Sequence, residues 1–155
     1  MSAKEKVTVA ILAGGLGTRL REAVPNKPKS IAEINGKPFI IYLLKQLSSS
    51  GFKNVIICSG YLSAEIEAEV GYSFEGLSIQ YSVESTQLGT GGALNLALSK
   101  LHTDYLIVMN GDSYLDIDLN LFFKWFIKGK YLAGLCMVKK EDTSRYGRLV
   151  LASED

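Results

Sequence analysis

The chain has 155 residues, 47% of them hydrophobic and 21% charged, with a formal net charge of +1. That length suits one domain burying about two-thirds of the surface its unfolded form exposes, and the near-neutral charge excludes the basic stripe of a nucleic-acid carrier. No apolar stretch reaches membrane-spanning length, and Met1-Ser2-Ala3-Lys4-Glu5-Lys6 lacks the apolar core of a signal peptide, so a cytoplasmic protein is expected.

Strand and helix signals alternate along the chain. Residues 7–13 form a continuous Val- and Ile-rich run, as expected of a strand buried on both faces. Apolar residues at helical spacing predict a helix over 39–47, with Gly51 as a stop signal beyond the serines. A second strand is predicted at 54–58, then a helix at 63–70 capped by Ser63, with Glu65 and Glu67 near its positive end. Polar and apolar residues alternate over 78–83, predicting a strand, and a helix over 90–101 follows a glycine-rich turn. Residues 105–109 read as a buried strand, 119–127 as a helix, and 131–138 and 148–151 as strands. This βαβα order predicts an α/β fold of three layers, α/β/α, around a mainly parallel, Rossmann-like sheet. In such sheets ligands bind outside the carboxyl ends of the strands. The loops expected at that edge are the glycine loop after the first strand, Gly60-Tyr61, residues 84–92, and Asn110-Gly111-Asp112.

The loop after the first strand carries the strongest chemical signal. Ile11-Leu12-Ala13-Gly14-Gly15-Leu16-Gly17-Thr18-Arg19-Leu20 empties an apolar strand into three glycines, and Pro25-Asn26-Lys27-Pro28-Lys29 follows. Glycines let backbone N–H groups approach phosphate oxygens, while Arg19 and Lys29 add charge-assisted hydrogen bonds worth about 1.5–3 kcal/mol each. A Walker-type loop is excluded because no Gly-Lys-Ser/Thr follows Gly17. A Rossmann fingerprint is excluded as well: Pro25 and Pro28 interrupt the helix it needs, and the second strand ends Ile57-Cys58-Ser59-Gly60 without an acidic residue.

Asp112 ends a strand at the edge where the phosphate loop also ends. Mg²⁺ prefers one or two carboxylates together with phosphate oxygens and water, which makes Asp112 the metal-ligand candidate; a plain turn aspartate is the alternative. Asp116 and Asp118 read as solvent-facing residues or caps of the following helix. The stretch Glu84-Ser85-Thr86-Gln87-Leu88-Gly89-Thr90-Gly91-Gly92-Ala93 reads as a base- or phosphate-binding wall, or as a flexible loop with Thr90 as helix cap. A carboxylate accepts two parallel hydrogen bonds and guanine offers an adjacent donor pair, so Glu84 could read guanine, although a solvated loop glutamate has the same sequence signature. Lys37 and the Arg145-Tyr146-Gly147-Arg148 cluster read as solvated turn charges. Cys58 and Cys136, each inside an apolar strand candidate, are expected to be reduced core residues, and His102 alone is too few parts for a His metal site or a triad.

With these residues assembled, the chain resembles the sugar nucleotidyltransferases, also called nucleotide-diphosphate-sugar pyrophosphorylases. The resemblance runs over nearly the whole sequence. It rests on Leu12 through Leu20, Pro28-Lys29, Asn35-Gly36-Lys37-Pro38, Gly60-Tyr61, Leu88-Gly89-Thr90-Gly91-Gly92-Ala93 and Asn110-Gly111-Asp112. Within that family it is most similar to the D-glycero-D-manno-heptose 1-phosphate guanylyltransferases, through residues 71–77, Tyr81-Ser82, 110–119 and Arg145-Tyr146-Gly147.

The resemblance implies transfer of a nucleoside monophosphate, GMP by the finer likeness, from a triphosphate such as GTP to a sugar 1-phosphate, with release of pyrophosphate. Mannose 1-phosphate with GTP, or an amino sugar 1-phosphate with UTP, is the alternative pair, and a non-catalytic nucleotide-binding module is the alternative of another class. It further implies that Leu12, Ala13, Gly14, Gly15, Gly17 and Thr18 hold the nucleotide, and that Arg19 favours the departing pyrophosphate. Lys29 would stabilise charge near the α-phosphate, and Gly14, Glu84, Leu88, Gly89 and Thr90 would border the base. Asp112 would bind Mg²⁺, and Asn110, Tyr146 and Gly147 would lie along the sugar. Such a role belongs to GDP-sugar synthesis for capsule or surface-layer polysaccharide, with no nucleic-acid or membrane partner and room for a homo-oligomer. Ser30 stands where the family often has proline and Asn26 where aspartate is common. The family's domains continue past the Tyr-Gly element into a lysine, an asparagine and a second metal-binding aspartate. Residues 1–155 are therefore expected to be a single nucleotidyltransferase core domain truncated at its C-terminus, which alone could bind nucleotide without turning over.

Overall fold

The computed structural model describes residues 3–15, 28–139 and 149. The chain divides into two compact units, residues 1–120 and 121–155. The first unit contains the sheet. Its strands are β1 (Val7–Leu12), β2 (Glu33–Ile34), β3 (Lys37–Pro38), β4 (Asn54–Ser59), β5 (Ser73–Phe74), β6 (Leu77–Val83) and β7 (Tyr105–Asn110). Between them run α1 (Phe39–Ser49), α2 (Ser63–Val70) and α3 (Gly89–Leu98), and α4 (Leu119–Gly129) follows β7.

The main sheet has the order β5-β6-β4-β1-β7, parallel throughout except for β5, which returns antiparallel onto β6. β1 and β4 read as unbroken apolar runs because they are central and covered on both sides; Val7, Val9, Ala10, Ile11 and Ile57 are wholly inaccessible to solvent. From β1 to β4 to β6 the chain steps one way across the sheet, and from β6 to β7 it steps back over β1. Right-handed crossovers therefore put α1 and α2 on one face and α3 on the other. Packing agrees: Ala10, Ile56 and Cys58 cluster with Ala93, Leu94 and Ala97 of α3. Strand alternation turns Val9, Ile11, Val55 and Ile57 to the opposite face. The apolar stripe of α1 (Ile40, Leu43, Leu44, Leu47) and Ile66 of α2 are buried as well. The expected three-layer, mainly parallel α/β architecture is the observed one.

The reversal of direction between β1 and β7 is the topological switch point, where two neighbouring loops diverge and open a crevice at the carboxyl edge. That is what positions the site.

Several local expectations need correction. Ser63 does not cap α2: it is the first helical residue, and the cap position is Leu62 in left-handed conformation, with φ 59°. Thr90 is likewise inside α3, whose cap position is Leu88, and the helix ends at Leu98 rather than 101. Asp118 does cap α4, accepting the Asn120 N–H at 2.8 Å. The segment 131–138 forms no strand. Within the second unit Tyr131 instead packs against Trp125 of α4 at 4.7 Å between ring centroids and Gly134 lies beside Trp125 and Phe126, while Leu132, Leu135, Met137 and Val138 are exposed. Cys136 there is exposed and not a core thiol, whereas Cys58 is buried as expected. The predicted strand at 148–151 lies outside the described residues apart from Leu149. The short β2–β3 hairpin around Asn35-Gly36 and the β5–β6 hairpin were not read from sequence, being two-residue pairings below any periodicity. Among the described residues no helix is long and apolar enough to cross a membrane.

Candidate active site at the carboxyl edge of the sheet

Four strand ends meet at one rim, and three backbone hydrogen bonds carry the pairing beyond the strands. Ala13 donates its N–H to the Cys58 carbonyl at 2.7 Å, Gly111 to the Leu12 carbonyl at 2.8 Å, and Glu84 to the Ser59 carbonyl at 2.9 Å. The loops after β1, β4, β6 and β7 are thereby tied to one another where they leave the sheet.

At the switch point, β1 and β7 run in register to their last residues, Leu12 beside Asn110. Their loops then touch closely. A Cβ on Gly111 would lie 2.8 Å from the Leu12 carbonyl oxygen and 3.3 Å from both Cα and Cβ of Ala13, so only glycine fits without moving backbone. This contact seats Asp112 next to the end of β1. Lys29 opens a short 3₁₀ turn (Lys29–Ile31) behind Pro28, and its Nζ lies 3.8 Å from Oδ2 of Asp112. With side-chain exposures of 32% and 51%, both groups remain open to solvent and to a ligand. Such an exposed pair contributes about 0–1 kcal/mol to stability. Its import is positional: the expected phosphate-binding cation and the expected metal-binding carboxylate share one mouth.

Across the rim, Glu84 follows β6 and folds back over the first two loops. Its Oε2 accepts the N–H of Leu88 at 3.2 Å. Its Oε1 lies against Gly14 and Gly60, 2.9 and 3.0 Å from where their Cβ atoms would stand. Leu88, half exposed, and Gly89-Thr90 of the first turn of α3 complete this wall. No side chain among the described residues caps that turn, so its amide groups and the positive end of the helix dipole sit at the rim, a setting suited to an anion. Beneath, burial and the neighbouring Glu84 charge push the Cys58 thiol up to about 11, so it is an inert core thiol and not a nucleophile.

The structure thus brings together Leu12, Ala13, Gly14, Gly15, Lys29, Glu84, Leu88, Gly89, Thr90, Asn110 and Asp112. Gly17, Thr18, Arg19, Tyr146 and Gly147 lie outside the described residues. Sequence reading did not foresee that Gly60 and Gly111 are contact glycines. Both stood in loops assigned to this edge, but only coordinates show what a Cβ would strike. Among the described residues no group of three or more His, Cys, Asp or Glu could hold a metal by itself. A single half-exposed carboxylate beside a cation fits Mg²⁺ that takes most of its ligands from phosphate and water, and does not fit a protein cage of the Ca²⁺ or Zn²⁺ kind.

Comparison with known proteins places the sequence and the fold in a family. The sequence pattern of the nucleotidyl transferase family matches residues 8–155. The chain is 38% identical over 140 residues to D-glycero-alpha-D-manno-heptose 1-phosphate guanylyltransferase of Aneurinibacillus thermoaerophilus, covering 90% of this chain and 61% of that protein. It is 34% identical over 154 residues to mannose-1-phosphate guanylyltransferase of Mycobacterium tuberculosis, covering 99% of this chain and 43% of that one. Its fold superposes on the crystal structure of HddC from Yersinia pseudotuberculosis complexed with GMP-PN, with a TM-score of 0.69 and 34% identity over 77% of this chain and 54% of that one. The chain spans at most 61% of the length of these relatives. A family match that begins in β1 and runs through the glycine loop after it, the Glu84 wall and Asp112 settles the kinship: the chain belongs to the nucleotidyl transferase family.

Proposed function

We propose that this chain carries the nucleotide-binding half of a sugar-1-phosphate guanylyltransferase, which moves GMP from GTP to a sugar 1-phosphate, D-glycero-D-manno-heptose 1-phosphate being the preferred acceptor. A phosphate oxygen of the sugar 1-phosphate attacks the α-phosphorus of the triphosphate. The bond from that phosphorus to the α–β bridging oxygen breaks, and pyrophosphate leaves with the electron pair. No proton need be taken from the nucleophile, so no histidine base is required, and the protein contributes position and electrostatics.

In this reading the backbone of Leu12, Ala13, Gly14 and Gly15, with Gly17 and Thr18 beyond, cradles the triphosphate, and Arg19 holds the departing pyrophosphate. Lys29 offsets the charge that builds at the α-phosphate. Asp112 would hold Mg²⁺, which when bound neutralises the phosphates and orients them in line. Glu84 takes the paired N–H donors of guanine beside Leu88, Gly89 and Thr90, while Asn110, Tyr146 and Gly147 line the sugar. The reading carries with it the cytoplasmic setting and surface-polysaccharide role expected from sequence.

The observation that carries it is the meeting of Lys29 and Asp112, 3.8 Å apart, at the switch point beside the β1 loop. Similarity to heptose 1-phosphate guanylyltransferases supports the acceptor, and similarity to a mannose-1-phosphate guanylyltransferase supports mannose 1-phosphate as the second choice. The test is pyrophosphate release with Mg²⁺, GTP or UTP, and heptose or mannose 1-phosphate. Release with GTP and heptose 1-phosphate is the expected result. Nucleotide binding without release for every pair would make the chain a binding module.

A further inference from the structure

The wall around Glu84 contains a residue that none of the chemistry above uses. Gly60, directly after β4, has no left-handed φ; the left-handed glycines of the described chain are Gly36, Gly51, Gly71, Gly76 and Gly89. Its backbone would accept any L side chain, so its want of a Cβ has to be explained by space. The space is taken by one neighbour: a Cβ on Gly60 would stand 2.8 Å from Cγ and 3.0 Å from Oε1 of Glu84. Gly14 shows the same pattern, with no left-handed φ and Oε1 of Glu84 at 2.9 Å from its would-be Cβ. The two glycines face one carboxylate from two loops, and the Leu88 N–H holds its other oxygen.

We infer that Gly60 is a positioning residue for base selection: with Gly14 it forms a slot that fixes the Glu84 carboxylate at the rim, where it discriminates guanine from purines lacking the exocyclic amino group. This rests on Glu84 reading the base. A methyl at Gly60 displaces the Glu84 side chain from Cγ outward, because the strand-end backbone bond from Glu84 N–H to Ser59 holds the main chain in place. Gly60 touches the base only through Glu84, so its effect must vanish when Glu84 is gone.

The experiment is a double-mutant cycle read on selectivity, the ratio of GTP to ITP affinity, using Gly60→Ala, Glu84→Ala and the double variant of the full chain. The expected result is a selectivity loss of about tenfold in each single variant and no further loss when Gly60→Ala is added to Glu84→Ala, as one misplaced hydrogen-bonding group commonly costs about one decade of affinity. A merely structural glycine would move both backgrounds equally or leave the ratio alone, and either outcome overturns the inference while Glu84 keeps its role. Unchanged selectivity in Glu84→Ala overturns the base-reading assignment and the inference with it. Should Gly60→Ala fail to fold, the double variant, with the slot emptied, is expected to fold; failure of both refutes the slot.

Discussion

The tightest contact at the switch point gives a quantitative expectation. In Gly111→Ala the added methyl meets the Leu12 carbonyl oxygen at 2.8 Å and Ala13 at 3.3 Å, all on or next to backbone that cannot rotate away. Overpacking of this kind costs about 1–3 kcal/mol, offset by roughly 0.4–1 kcal/mol because alanine restricts the unfolded chain more than glycine. The net loss is about 1–2 kcal/mol, which for a domain of this size lowers Tm by about 2–8 °C. Relief of the clash must separate the β1 and β7 loops, stretching the Gly111 N–H bond to Leu12 and moving Asp112 relative to Lys29, so Mn²⁺-dependent GTP binding weakens as well. Gly15→Ala is the matched control: among the described residues nothing lies within 4 Å of its would-be Cβ, so the unfolded-chain effect is unopposed and its Tm rises by about 1–4 °C. Thermal unfolding followed by circular dichroism, with binding by calorimetry, reads both. Equal midpoints for Gly111→Ala and the parent would refute the claim that these two loops are packed at their limit.

Asp112→Asn removes a half-exposed ion pair worth about 0–1 kcal/mol, so the fold persists while Mn²⁺ binding in the presence of GTP, read by electron paramagnetic resonance, is lost; retained Mn²⁺ binding would strip Asp112 of its role. Iodoacetamide on the native chain at pH 8 is expected to label exposed Cys136 and spare buried Cys58, and mass spectrometry showing the reverse would contradict the packing of β4 against α3. Burial, reinforced by the Glu84 charge, lifts the Cys58 thiol from 9.0 to about 11, so the folded state retains a proton that the unfolded chain gives up above pH 9. The stability Cys58 confers is therefore whole below pH 9 and lost as pH rises toward 11. The urea-midpoint gap between the parent and Cys58→Ala should narrow across that window, and a constant gap would argue against a buried thiol.

Much of this protein is written locally. The unbroken apolar runs of β1 and β4 follow from burial on both faces, the 3.6-residue spacing of Ile40, Leu43, Leu44 and Leu47 specifies α1, and the βα alternation specifies a parallel sheet by the handedness of crossovers. Order along the chain was therefore enough to send the loops of Gly14, Glu84 and Asp112 to one edge. The start of α2 at Ser63 follows from the sequence, but Ser63 and Thr90 do not cap their helices, because capping residues are preferences and at both ends the placement of the loop prevails over the local hydroxyl. The segment 131–138 has strand composition, but its one aromatic residue, Tyr131, packs on Trp125 of α4, an outcome that depends on a partner surface and not on alternation.

What no string of letters could show is distance across the rim. That β7 lands beside β1 and not at the far edge, that Lys29 reaches Asp112, and that Gly14 and Gly60 close on the same carboxylate are consequences of strands separated by up to about a hundred residues coming into register. Residue type and spacing encode what each segment can do, because periodicity and charge are properties of neighbours in sequence. Which groups act together is decided by packing, since only a folded sheet converts sequence separation into a few ångströms.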